Sequence, residues 1–194
     1  MSHFFAYMAR MRYIHRWGLM RNTQQENIQE HSLQVAMIAH ALALIGNRIY
    51  DKAYDPEHIM ALAAYHEAGE VITGDLPTPI KYADPELRDA YKRMETLAEK
   101  KLLNMIPEEL QDDYTMLLLQ KQDDDHKIVK AADRIAAYLK CVEELKSGNG
   151  EFKDACESIR QDIDMLNMPE AAWFMEKFAP SFAMTLDEMK GQEL

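Results

Sequence analysis

His31, Val35, Ile38 and Leu42 recur at intervals of four, three and four residues, a spacing that an α-helix gathers onto one face. That period governs nearly the whole chain. Residues 3–17 place Phe4, Met8, Met11 and His15 near one stripe and are expected to be helical. The second helix is expected over 30–47, with Gly46-Asn47 as its C-terminal cap. Asp55 is the expected N-cap of a third helix, with Pro56 in its first turn, running through His66 and Glu67 to about Ile72. Residues 73–79 form a punctuated loop, and further helices are expected over 85–105 and from Pro107 to about 120. Asp123, Asp124 and Asp125 precede another helix that Gly148-Asn149-Gly150 stops, followed by stretches near 151–166 and 169–178. No segment alternates convincingly with period two, and no internal repeat or linker breaks the chain. The expectation is an all-α, single-domain helical bundle over residues 1–194.

Composition narrows the partners. A chain of 194 residues can bury a real core, and 47% hydrophobic against 28% charged residues is an ordinary globular balance. The net charge of −11 argues against polymeric nucleic acid, which needs clustered cations, but leaves room for a small phosphate ester. Two cysteines make no disulfide framework and point to a reducing compartment. The N-terminus lacks a signal-peptide pattern, and the apolar stretch from Val35 to Ile45 is short for a bilayer. A cytoplasmic protein without a membrane partner is expected.

The residues that carry chemistry are two imidazoles and two carboxylates: His31, His66 with Glu67, and Asp133. Neutral imidazole and carboxylate oxygen together suit a divalent cation. Taken alone, His31 reads as a core histidine bonded to a backbone carbonyl. His66, Glu67 and Glu70 fit a metal face and a chance polar cluster equally. Asp133, among Val129, Ala132, Ala136 and Ala137, reads as a buried ligand rather than as half of a Lys130–Asp133 surface pair, because an unpaired carboxylate on a small apolar face costs several kcal/mol. The run Asp123 to His126 reads as a solvated helix cap. Asp75, in a loop stiffened by Pro77 and Pro79, follows the His66 segment closely enough to line its pocket. Arg16-Trp17 offers a cation and an aromatic face, and equally an ordinary helix-end pair. The stretch from His66 to Glu70 is similar to a zincin helix, but Glu replaces the second histidine ligand, so a peptidase is a poor fit.

The order His, His-acid, Asp resembles the HD-domain metal-dependent phosphohydrolases. The likeness extends to their bacterial 5′-deoxyribonucleotidase branch (YfbR type) through residues 2–22, 26–43, 65–82, 130–145 and 174–182, with EHSLQVA and GDLPTP the most specific stretches. The resemblance implies that His31, His66, Glu67 and Asp133 are metal ligands. It implies that Glu70 and Asp75 act as acid/base and water- or substrate-positioning groups. It further implies substrate contacts from Arg16, Trp17, His31, Asp75, Thr78 and Asp133, with Arg16 on the phosphate and Trp17 selecting a 2′-deoxy sugar. The family works as homodimers on deoxynucleoside 5′-monophosphates, with cobalt or manganese. Binuclear relatives place extra histidines between the dipeptide and the last Asp; only His126 lies there, so one divalent ion is expected. Position 67 departs from the pattern, being Glu and not Asp. The extra methylene moves the oxygens by about one C–C bond length, whereas ligand distances tolerate a few tenths of an ångström. Either the helix shifts there or the ion is held differently.

Overall fold

The computed structural model describes residues 1–81 and 83–191. Tyr82, the last residue of one stretch that carries the resemblance, and residues 192–194 of the expected 1–194 domain lie outside the described residues. The architecture is all-α, a single-domain helical bundle, and among the described residues the only β pairing is one isolated bridge, His15 with Asn27.

Eleven α-helices run in the order α1 (Phe4–Met8), α2 (Ile28–Ile49), α3 (Pro56–Tyr65), α4 (Glu70–Thr73), α5 (Thr78–Lys81), α6 (Pro85–Leu103), α7 (Gln111–Leu118), α8 (Asp124–Lys146), α9 (Lys153–Met165), α10 (Pro169–Lys177) and α11 (Leu186–Lys190), among the described residues. Their starts follow local chemistry. Asn27 accepts from the backbone N–H of Gln29 and Glu30, and Glu30 reaches back to Asn27 N–H, a capping box that opens α2. Asp55, Asp84 and Asp123 cap α3, α6 and α8, the first two ahead of a proline in the first turn. The Asp123 run is the solvated cap expected: Asp123 accepts from His126 N–H, and Asp124 pairs with Lys127 at the surface.

The two longest helices, α2 and α8, meet at the centre. Val35, Ile38, Ala39 and Leu42 of α2 interlock with Ile128, Ala132, Ile135 and Leu139 of α8, and α3, α9 and α10 cover their flanks. Small residues let the two backbones approach, so polar groups on the facing stripes end up close together. By length and hydropathy α2 could cross a bilayer, but half of its apolar window is buried inside the bundle, where it serves as the core helix. It is the only described helix to pass that test.

Three expected boundaries are corrected. The N-terminal helix stops early: α1 passes into a 3-10 turn over Ala9–Tyr13, and residues 14–16 are extended. His15 is therefore exposed rather than on the stripe, and Arg16-Trp17 does not end a helix. The cause is tertiary pairing, because Ile14 C=O accepts from Ile28 N–H (3.0 Å) and Glu26 C=O accepts from Arg16 N–H (2.9 Å). Gly46 does not cap α2, which continues to Ile49; it sits inside the helix against Tyr54, where a Cβ would stand 2.7 Å from the Tyr54 ring. Asn47 holds that neighbour by bonding both the N–H and the C=O of Tyr54. Third, α3 ends at Tyr65, so His66 and Glu67 lie in a run of turns between α3 and α4. The C-terminus adds a 3-10 turn over Ala179–Ala183 and α11, which the periodicity does not announce.

A buried polar latch ties the segment after Trp17 to the far end of α8. The Glu144 carboxylate accepts from Thr23 N–H (2.9 Å), Thr23 Oγ1 (2.6 Å), Gln24 N–H (3.2 Å), Asn149 Nδ2 (2.9 Å) and Lys140 Nζ (2.5 Å). Lys140 also donates to Gln24 C=O, and Asn149 to Arg21 C=O. One helix thus carries Asp133 and, about three turns later, the clamp on the Arg16–Glu26 segment.

Candidate metal centre

His31 faces inward from the first turn of α2 and is fully buried. Asp133 meets it from α8, its Oδ1 3.0 Å from His31 Nε2, and not a backbone carbonyl. Lys130 also approaches the other Asp133 oxygen at 3.9 Å, so the surface pair and the buried contact coexist on the two sides of one carboxylate. His66 and Glu67 enter from the turns after α3, with His66 Nε2 3.4 Å from Glu67 Oε1 and 3.9 Å from Asp133 Oδ1. One ligand atom from each of the four residues falls within a sphere where all lie within 4.8 Å of one another. Among the described residues this is the one group of histidine, cysteine, aspartate and glutamate side chains so arranged.

The donors are prepared for a cation. His66 Nδ1 donates to Ala63 C=O at 2.7 Å, and since a carbonyl can only accept, the proton sits on Nδ1 and the Nε2 lone pair points into the cluster. That Nε2 is buried and has no hydrogen-bond partner, as has Glu67 Oε2. Burial pushes His66 down to about 4, so it is a neutral ligand at working pH. Burial alone would raise Glu67, but the adjoining His66 ring and the Arg16 guanidinium draw it down to about 2. Burial likewise opposes ionisation of Asp133, and the hydrogen bond and charge of His31 outweigh it, holding Asp133 well below the usual carboxylate range. Two ionised carboxylates and two imidazoles in a buried pocket suit one divalent ion. Asp133 is the most exposed of the four side chains, at 23% against 0% for His31, with its second oxygen on the Lys130 side.

His66 keeps helical backbone angles (φ −63°, ψ −27°) in the turns after α3, and the longer Glu67 that follows it offers an oxygen within 4.8 Å of the other three ligand atoms.

Around the four stand Arg16, Trp17, Glu70 and Asp75 of the other expected site residues. Arg16 donates from Nε to Glu26 (3.2 Å) and from Nη1 to Glu67 Oε1 (3.5 Å), which places a permanent cation at the rim. Trp17 donates its indole N–H to Glu26 Oε2 at 2.9 Å and packs on Phe152, ring centroids 5.3 Å apart. Its φ of +60° is left-handed, an outlier for a bulky residue that surrounding contacts must hold. Glu70, at the start of α4, is pushed up to about 11 by burial and by the adjacent Glu67 charge, and is a neutral carboxyl here. Asp75 is half-buried in the loop after α4; burial raises it, Arg16 opposes, and Glu67 adds to the rise. Thr78 stands apart, exposed at the start of α5.

Glu26 is the residue sequence reasoning missed. It is buried among Arg16, Trp17 and His31, yet it lies outside any helical stripe. The usable signal was its place in the stretch 26–43, four residues before Glu30-His31, where an acid is not needed to cap α2 because Asn27 already does so.

A ligand that binds only the folded chain stabilises it by mass action. A divalent transition-metal ion at a hundred times its dissociation constant is expected to add about 2.7 kcal/mol. Thermal melting should shift upward on adding the ion and return on chelation; curves indifferent to both would remove the metal assignment.

The YfbR-like 5′-deoxynucleotidase family model matches residues 3–182. The 5′-deoxynucleotidase of Vibrio cholerae is 52% identical over 190 residues, covering 97% of this chain and 98% of the relative. Among solved structures, an HD-domain phosphohydrolase from Listeria innocua superposes with a TM-score of 0.80 at 22% identity, over 96% of this chain and 91% of that one. The cyanophage S-2L HD phosphohydrolase DatZ, bound to dA and one catalytic Zn2+ ion, superposes at 0.64 and 20% identity, over 91% of this chain and 96% of that one. At such identities these two likenesses speak for the fold.

Proposed function

Because the chain belongs to the YfbR-like 5′-deoxynucleotidase family, we propose that it is a metal-dependent phosphomonoesterase that hydrolyses deoxynucleoside 5′-monophosphates to deoxynucleoside and phosphate. The observation that carries this reading is a fixed guanidinium, Arg16, 3.5 Å from a carboxylate of a buried cluster whose four ligand atoms lie within 4.8 Å. A phosphate at the rim would meet both the cation and the cluster.

In this reading His31, His66, Glu67 and Asp133 hold one divalent ion, cobalt or manganese. When bound, the ion supplies Lewis acidity toward a phosphoryl oxygen and lowers the pKa of a water. The chain's own residues do the rest. Arg16 takes the phosphate charge, exchanging its bond to Glu67 for bonds to the ligand. Trp17, held rigid, packs against the 2′ carbon of the sugar and leaves no partner for a hydroxyl. Glu70 and Asp75 orient the attacking water and pass on its proton. The P–O5′ bond breaks, the water oxygen ends on phosphorus, and a proton ends on the 5′-oxygen. His31, Asp75, Thr78 and Asp133 complete the substrate contacts. The described bundle works as one domain within a cytoplasmic homodimer.

Phosphate release from dAMP, AMP, cyclic AMP and guanosine tetraphosphate tests the reading, with light scattering for the dimer. dAMP is expected to exceed AMP by about 10–100-fold, the range that steric exclusion and an unpaired hydroxyl supply. Cleavage of cyclic AMP or the tetraphosphate with dAMP untouched would assign another nucleotide. The native protein is expected to be active as it stands. A chain inert with metal and switched on by Glu67→Asp would be a nucleotide- or metal-binding dimer instead.

A further inference from the structure

Glu26 divides its two carboxylate oxygens between two parts of the site. Oε2 accepts from Arg16 Nε (3.2 Å) and from Trp17 Nε1 (2.9 Å). Oε1 stands 3.7 Å from His31 Nδ1, a fully buried nitrogen without a hydrogen-bond partner. The side chain is 11% exposed, so these charges meet with little water between them. The backbone sets the arrangement: the short antiparallel pairing of residues 14–16 with 26–28 puts Arg16 opposite Glu26. Beyond it, Trp17 adopts the left-handed conformation, which is strained for a bulky residue. The indole bond to Glu26 and the packing on Phe152 are contacts that offset this strain.

We propose that Glu26 is a positioning residue that couples metal retention to sugar discrimination. With one oxygen it braces the far ring nitrogen of the ligand His31, and with the other it fixes the guanidinium and indole that face the nucleotide. A metal-bound imidazole needs its second N–H directed at an acceptor, and losing such an acceptor weakens metal affinity or activity by about 10–100-fold. A plain structural ion pair would need only Arg16. Neither the indole bond nor the approach to His31 would follow from that role. The sugar half of the proposal rests on the reading of Trp17 given above; the metal half does not.

Glu26→Ala and Glu26→Gln, made in the full chain with Trp173→Phe so that Trp17 is the sole indole, test it. Three quantities are read: Co2+ affinity by absorption titration, Trp17 emission with acrylamide quenching, and kcat and KM separately for dAMP and AMP. Glu26→Ala is expected to bind Co2+ about 10–100-fold more weakly, to expose Trp17 to quencher, and to lose most of the dAMP preference. The loss should fall chiefly on KM, because both partners of Glu26 at the rim are binding groups. Glu26→Gln keeps an acceptor for one N–H but not the charge. It should retain more of the Trp17 signal while still weakening Co2+.

Wild-type Co2+ affinity together with an unchanged dAMP:AMP ratio in either folded variant overturns the proposal. If the parent cleaves no nucleotide, the substrate reading fails. Co2+ affinity and indole quenching still decide Glu26, upholding its role if both move and overturning it if neither does. Should Glu26→Ala not fold, Glu26→Gln carries the same outcomes.

Discussion

Asp133→Ala should empty the metal centre and stop turnover while the bundle stays folded. The residue supplies a ligand oxygen that approaches both imidazoles, 3.0 Å from His31 Nε2 and 3.9 Å from His66 Nε2. Without it, three donors remain, only one of them anionic. Removing a supporting group beyond the ligands already costs 10–100-fold, so a ligand itself should cost about 1,000-fold or more in turnover. The fold should survive because α8 packs through Ile128, Ala132, Ile135 and Leu139, none of which the change touches. His31 Nε2 loses a partner, at a cost of about 1–3 kcal/mol, while one desolvated charge disappears. Elemental analysis, phosphate release and circular dichroism check the three parts separately. Near-native turnover in a folded variant would contradict the ligand assignment.

The largest loss of stability is expected from Glu144→Ala. Its carboxylate is 1% exposed and accepts five hydrogen bonds from Thr23, Gln24, Asn149 and Lys140, counting the N–H and hydroxyl of Thr23 separately. Truncation leaves the buried Lys140 ammonium without its carboxylate, keeping only the Gln24 C=O, and two backbone N–H groups without their acceptor. Breaking one side of a buried ion pair costs about 3–5 kcal/mol, which urea denaturation reads directly. Replacing Lys140 with Met as well should recover the charge portion only, because Thr23 and Gln24 still lack their acceptor. A loss under about 1 kcal/mol would show that water replaces the latch.

The same group predicts an acid limb. Burial would raise Glu144, but the hydrogen bonds from Lys140, Thr23 and Asn149 hold it far below its ordinary 4.5. A carboxyl whose folded pKa is depressed contributes stability above its unfolded pKa and loses it as pH falls toward the folded one. Wild-type stability attributable to this group is therefore complete above about 4.5 and declines below it, and Glu144→Gln should flatten that decline. Hydrogen exchange at Thr23 and Gln24 should accelerate in the variant.

Periodicity and caps made the helices readable. The stripe from His31 to Leu42 is the buried face of α2, and Asp55, Pro56 and Asp123 mark the starts of α3 and α8 where expected. These signals are local: a cap satisfies N–H groups two or three residues away, and a stripe records only that one face is buried. Of the four metal-cluster residues only Asp133 was legible in this way, as a carboxylate among small apolar neighbours; His31 read alone as a core histidine, His66-Glu67 fitted a chance cluster equally, and the full set came from the family resemblance.

What the chain order could not show is where distant segments meet. Residues 14–16 have helical spacing, yet they are extended because the Arg16 N–H and the Ile14 C=O pair with Glu26 and Ile28. Gly46 has the chemistry of a cap but serves as a seat for Tyr54. His66-Glu67 reads as a continuing helix and folds as turns after α3, with the longer acid in the cluster. Glu26 has no helical signature, since Arg16 and Trp17 become its neighbours only when residues 14–16 pair with residues 26–28. Side-chain type and helical period belong to the sequence because they rest on interactions a few residues long. Which carboxylate faces which imidazole belongs to the tertiary structure, because packing α2 against α8 fixes those distances only once both faces are buried together.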